Sequence, residues 1–473
     1  MQRGPRTLQA HIPSVLAFIL PGMAGILLAG LTACGGGPID DNPIDGPVTW
    51  HQHIAPIIVE NCGSCHTAGG IAPFAIDSYE SAMTYSSLAI YAIDNNIMPP
   101  WGAHDTDECQ PLRPFKGDTR LSDEEKQLVR AWIDQGHPLG DPDSAAPLPP
   151  PPQLAIDDPD FDLPFQQPYT IDGNTDDFQC FVLNPGNTDK LWITGLQLEP
   201  DNKLVDHHGL IFLDLDGVSE QAAVDGRFPC FNNPRVSGYL LATWVPGAAP
   251  SIAPPGTGMP LPPGARIVVQ MHYHPTGLGP EVDQSSVQLK VTDVAPDKEV
   301  AQVLVGNFRQ QHADGTGLQP GPNDNGAPAF FIPAGATEHT ETGIFRMELA
   351  IGLPIYSVGT HMHYVGTDMK IDLVSSSGQD ECLVQTPRWD FNWQRQYDYD
   401  VPVSDLPVIR AGDELRLRCT YNNSLSNPFV AQALQDNGLT SPVDVYLGEQ
   451  TFDEMCLGLF GIVLPPGVIE NFL

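Results

Sequence analysis

From about residue 165 to its C-terminus the chain is written in short alternating segments, and nothing else in it constrains the fold as strongly. Leu191 to Leu198, Leu210 to Leu215, Arg266 to His274, Val287 to Val291, Met369 to Leu373 and Glu414 to Tyr421 are such segments, with turn residues between them. Side chains on a strand alternate faces, so each segment presents one apolar face to bury, the pattern of a β-sandwich. Gly 45 and Pro 48 make up about a fifth of the 473 residues, and they fall between the segments as turns. At roughly 100–200 residues per domain the whole chain predicts two to four domains. The second half has room for two antiparallel, jelly-roll-like sandwiches, 165–297 and 298–473.

The stretch 49–143 reads differently. Cys62-Gly63-Ser64-Cys65-His66 is a c-type haem attachment motif, in which two thiols bond the vinyl groups and the next histidine reaches the iron. A thioredoxin-like redox pair would leave His66 unexplained, and a zinc site lacks a second Cys-x-x-Cys. Met98, on the loop Asn96-Ile97-Met98-Pro99-Pro100-Trp101, is the candidate thioether ligand on the opposite side of the iron. Met83 is the runner-up, in a helical pattern that suits a core role. Ser122 and Glu125 form a capping box, Leu128, Val129, Trp132 and Ile133 supply an apolar face, and Gly136 ends the helix. The order of haem motif, Met-Pro loop and closing helix resembles a cytochrome c domain and implies a small all-α haem domain. His51, His53, His104 and His137 read as surface residues. A proline run at 148–152 inside 144–164 reads as a semi-rigid linker.

Ahead of this, Arg3 and Arg6 precede a mostly apolar run from Ile12 to Leu31, and then Leu31-Thr32-Ala33-Cys34. The layout is that of a secretory signal over 1–33, and the ending resembles a bacterial lipobox with lipidation at Cys34. A spanning helix is the competing reading, since the run approaches the ~20 residues a span needs; Pro13 and Pro21 weigh against it. Residues 34–48 read as a flexible tether. A lipid-anchored address on the bacterial cell envelope follows, periplasmic or on the outer-membrane face, where disulfides are permitted. The formal net charge of -36 excludes a phosphate-neutralising surface and with it nucleic-acid partners.

Histidines recur through the sandwich half. Asp206-His207-His208-Gly209 opens one segment, Gln270-Met271-His272-Tyr273-His274 ends another, and Thr360-His361-Met362-His363 ends a third. Phe452-Asp453-Glu454-Met455-Cys456 opens a fourth near the C-terminus. His361 and His363 share a strand face and can share an ion. The plain alternative is a pair of solvent-facing histidines. His207 and His208 point to opposite faces of a regular strand, so they share an ion only where the chain bends. Met271 and Met362 alternate away from their histidines and read as core.

In this order the four segments resemble the copper type II, ascorbate-dependent monooxygenases, the family of peptidylglycine α-hydroxylating and dopamine β-monooxygenases, over roughly residues 170–465. Ala242-Thr243-Trp244-Val245-Pro246-Gly247 and the Leu-Pro-Pro-Gly at 261–264 add to the likeness. The resemblance implies two copper ions. His207, His208 and His272 would hold the electron-transfer copper; His361, His363 and Met455 would hold the copper that binds O₂. Imidazole suits both oxidation states and a thioether favours Cu(I). It also implies disulfides Cys180–Cys230 and Cys419–Cys456, and a place for Gln270 near the first copper. Cys109 and Cys382 remain, free or paired with each other. His274 is a spare ligand or a rim residue.

The sequence departs from the peptide-amidating members. Gly359 stands where they carry an Arg that grips a carboxylate, and Leu457 and Leu459 replace their Asn and Tyr. The resemblance therefore implies a small organic substrate that is not a peptide carboxylate. The resulting expectation is a copper-dependent monooxygenase that hydroxylates a C–H bond with O₂, drawing electrons from an ascorbate-like reductant, a periplasmic redox partner or one covalent haem c. A non-catalytic copper-binding lipoprotein and a haem electron-transfer lipoprotein are the alternatives.

Overall fold

Strand pairing organises the chain. The computed structural model describes residues 46–469 except 71, 151–154, 174–175, 232–233, 247, 392, 449 and 451, and the side chain of 436. The signal layout, the tether up to residue 45 and Cys34 lie outside the described residues, as does part of the proline run.

A ten-stranded sheet runs through the whole sandwich half. Its main path, in spatial order, is Phe161–Pro164, Ser286–Thr292, Leu191–Glu199, Thr257–Leu261, Lys298–Gly306, Leu457–Leu464, Leu353–His361 and Gln396–Asp398. Neighbours along it are antiparallel, except where Lys298 and Glu299 pair in parallel with Thr257 and Gly258. That parallel contact is where the two halves of the sheet join. A five-stranded sheet accompanies each half. The first contains Asp177–Leu183, Arg266–Tyr273, Asp206–Asp214 and Gly238–Trp244; the second contains His339–Arg346, Glu414–Tyr421, Gly366–Val374 and Glu381–Thr386.

The pleat explains why these segments are strands. In Glu414–Tyr421 every second side chain, Leu415, Leu417, Cys419 and Tyr421, is buried, while Arg416 and Arg418 turn outward. Val287 and Leu289 do the same in Ser286–Thr292. Each such leucine or valine contributes about 1.5–3 kcal/mol when fully buried. A register slip of one residue would turn all of them to solvent.

The expected small all-α cytochrome c-like domain followed by two all-β sandwich domains is not what forms. The protein is mostly β, and the described residues hold four α-helices: Ala55–Asn61, Tyr79–Asp94, Asp123–Asp134 and Pro428–Asp436. The first three do pack around Trp50, Tyr79 and Trp132. They do not make an independent unit, because Gly46–Leu473 clusters as one body. Trp101 and Ala103 sit in the same core as the sandwich residues. The backbone N–H groups of Gly102 and Ala103 both donate to the Tyr397 hydroxyl at 3.1 Å, Lys116 donates to the Asp398 carbonyl at 2.8 Å, and Phe115 stacks on Tyr399. Cys109 is disulfide-bonded to Cys382. The helix expected from Ser122 is present, with both capping-box bonds made to Glu125. Capping and periodicity report a helix; they do not report which core its neighbours bury into.

Candidate metal centres

His207 and His208 lie at the start of Asp206–Asp214, and His272 near the end of Arg266–Tyr273. His272 is paired with His208, but Tyr273 is paired with Asp206, so His207 is an extra residue bulged out of the ladder. The bulge supplies the bend that adjacent histidines need to share a face. The three Nδ1 atoms stand 3.2, 3.3 and 3.3 Å apart. The centre of such a triangle is about 1.9 Å from each nitrogen, close to the ~2.0–2.1 Å of a metal–imidazole bond. Three nitrogens converging this closely cannot all satisfy one another as donor and acceptor, whereas a cation satisfies all three. Burial, then the neighbouring His272, pushes His207 down to about 3 and holds His208 well below its ordinary value, so both rings stay in the neutral form that can ligate a cation. Among the described residues this is the one group of three or more His, Cys, Asp or Glu side chains whose ligand atoms all lie within 4.8 Å.

Asp176 stands behind the triad. Its Oδ2 is 3.3 Å from His272 Nε2, and its Oδ1 is 2.7 Å from Nδ1 of the exposed His274. His274 is thus tied to Asp176 and is not part of the Nδ1 triangle. Gln270 lies on the same strand face as His272, two residues before it, and its Nε2 donates to the Cys230 carbonyl at 2.7 Å, beside the Cys180–Cys230 disulfide.

The second histidine pair is built on the other half. His361 ends Leu353–His361, and its Nδ1 donates to Gln394 Oε1 at 2.6 Å. His363 Nδ1 donates to the Asp453 carbonyl at 3.0 Å. Both acceptors are oxygens, so both Nδ1 atoms carry the proton and each Nε2 keeps a lone pair for a ligand. Burial lowers both rings, His363 to about 3. His361 is paired with Leu457, which brings the chain carrying Met455 alongside. Glu454, completely buried, organises the junction. Its carboxylate accepts from the backbone N–H of His363, of Val365 at 3.3 Å and of Met455 at 2.8 Å. Burial raises it to about 8. Tyr421 donates to the Met455 carbonyl at 2.9 Å, and the Cys419–Cys456 disulfide anchors the next residue. The role of Glu454 as a clamp, rather than a ligand, was hidden in the sequence because its partners are backbone groups.

One aromatic side chain touches both groups. Phe391 stacks on His207 with ring centroids 5.3 Å apart, and lies 6.4 Å from the His363 ring.

A cavity of about 490 Å³ adjoins this region, and its walls include Cys62, Cys65, His66, Met98, Gln394 and Arg395. Cys62 and Cys65 are free, while the other six described cysteines form three disulfides. Burial pushes the Cys62 thiol up to about 12. His66 Nδ1 donates to the Phe74 carbonyl at 3.0 Å, so its Nε2 is not used in that bond. Met83 is surface-exposed and does not line the cavity, nor do His51, His53, His104 or His137.

Residues 326–460 match the sequence model of the copper type II ascorbate-dependent monooxygenase C-terminal domain. The match supports a copper-dependent monooxygenase, an oxidoreductase, and it spans His361, His363 and Met455. No curated protein matches the chain. Solved structures with a detectable likeness include the major capsid protein P2 of bacteriophage PM2, at 9% identity and a TM-score of 0.25, covering 62% of this chain and 99% of that one. The VP2 subviral particle of infectious bursal disease virus is also among them, at 9% identity and a TM-score of 0.18, covering 66% and 73%.

Proposed function

We propose that this protein is a copper-dependent monooxygenase that hydroxylates a C–H bond of a small organic substrate with O₂. The observation that carries the reading is the Nδ1 triangle of His207, His208 and His272, with a second neutral histidine pair one aromatic ring away. His207, His208 and His272 would hold one copper through Nδ1; His361 and His363 would hold the other through Nε2, with Met455. Copper, when bound, supplies one-electron redox chemistry and O₂ activation.

The protein's own contribution is orientation and dryness. Gln394 and the Asp453 carbonyl fix the tautomers of His361 and His363, Glu454 locks the backbone between His363 and Met455, and burial keeps the imidazoles unprotonated. A Cβ at Gly359 would meet the Arg395 carbonyl and Gln396 Cα at 3.3 Å, so a side chain here would have to shift backbone, and glycine itself offers no group to grip a carboxylate. That supports a substrate other than a peptide carboxylate. The cavity beside Gln394 fits a haem in size, since ligand pockets run to roughly 300–1,000 Å³. Cys62 and Cys65 would carry it, with His66 Nε2 and the Met98 thioether toward the iron; haem, when bound, supplies electrons. An ascorbate-like reductant or a redox partner would feed it. Lipidation at Cys34 would hold the protein on the bacterial envelope, and three disulfides support an oxidising compartment.

Met455→Ala tests the assignment. The variant is expected to keep copper on the three-histidine cluster and to lose reductant-dependent O₂ uptake. Full uptake in that variant would contradict it.

A further inference from the structure

The cavity wall formed by Gln394 and Arg395 has a feature that the haem reading leaves unexplained. Arg395 is partly buried and stacks over Trp101, its guanidinium carbon 4.7 Å from the ring centroid. Among the described residues no carboxylate lies within ion-pair distance of it. A guanidinium away from water is costly unless a carboxylate or comparable acceptor meets it. Its neighbour in the adjoining cleft, Arg388, is satisfied by the carbonyls of Asn95 and Asn96 at 2.9 Å. Cys65 and Arg395 line the same cavity.

We propose that Arg395 is the anion-binding residue of this cavity and takes the propionate carboxylates of a haem attached at Cys62 and Cys65. The proposal rests on the haem reading above. Arginine suits the task because its planar fork meets a carboxylate at two points and it cannot shed its charge. It has a consequence for where the haem ends. Gln394, the preceding residue, shares the cavity wall and accepts from His361 Nδ1. A haem anchored by Arg395 therefore abuts the His361 and His363 group through one amide side chain. Gln394 is a positioning residue here, holding the His361 ring from the cavity side.

The experiment uses the full chain matured with haem. Covalent haem is read from the reduced spectrum in denaturing pyridine, and the haem midpoint potential by redox titration. Arg395→Leu removes a positive charge beside the haem, so its potential should fall; Arg395→Lys should restore most of the shift. Arg388→Leu, from the adjoining cleft, should leave it unchanged. If Arg395→Leu is too unstable to purify, Arg395→Gln takes its place with the same expected fall. Covalent haem whose potential is unmoved by every Arg395 variant overturns the assignment of Arg395 alone. Wild-type protein with no covalent haem removes the haem reading, and this proposal with it, while leaving the copper reading standing.

Discussion

His207 and Phe391 stack with their ring centroids 5.3 Å apart and 24° between their planes, although they belong to opposite halves of the protein. The same Phe391 ring meets His363 edge-on and lies flat on Tyr364 at 4.2 Å. A single buried side chain therefore touches both histidine groups. Phe391→Ala should cost roughly 3 kcal/mol of stability by leaving a cavity. It should lower turnover while both copper sites remain filled. Denaturant unfolding and copper analysis check the two parts separately.

Glu454 holds the backbone of His363 and Met455 together from a fully buried position. Glu454→Ala should release that junction and leave three backbone N–H groups without an acceptor, at about 1–3 kcal/mol each. Copper content should fall from two ions per chain to one, with the three-histidine cluster still occupied. Retention of both ions would show that the carboxylate does not organise the site.

The N-terminal helices should not unfold on their own. Cys109 and Cys382 close a loop of 273 residues between them and the second five-stranded sheet. Cross-linking a loop that long is worth on the order of 5 kcal/mol in the chain-entropy account. Cys382→Ser should lower the stability of the whole chain in denaturant titration. A separate early transition in the intact protein would contradict the single unit described here.

Asp398 gives a pH dependence away from the metal ligands. Burial raises its carboxyl to about 6, with Lys116 pulling the other way. In the unfolded chain it titrates near 3.8. Between those values the folded state binds the extra proton, so this contribution to stability is full below about 3.8 and is lost as pH rises through about 6. Asp398→Asn should therefore stabilise the protein at pH 8 and change little at pH 4, measured by thermal unfolding.

Alternation in Glu414–Tyr421 and Ser286–Thr292 made the strands legible, because one-sided burial is written directly in the residue order. The histidine clusters could be picked out for the same reason: ligand types stand out at strand ends. Three things were not legible. The bulge at His207 depends on a pairing irregularity with Tyr273, far away in sequence. The joining of the two sandwiches into one ten-stranded sheet depends on the short parallel contact of Lys298 and Glu299 with Thr257 and Gly258. The fate of the segment around Trp101 depends on Tyr397 and Cys382, which no local pattern near residue 100 could announce. Each is a long-range contact without a periodic signature.

In the function proposed above, both histidine groups bind copper and work together on O₂. Copper per chain, measured alongside reductant-driven O₂ uptake on the same sample, tests it most directly. Two copper ions are expected, with an uptake that disappears when either His272 or His363 is replaced by alanine. Two ions with no uptake under any reductant, or uptake that survives both replacements, would contradict it.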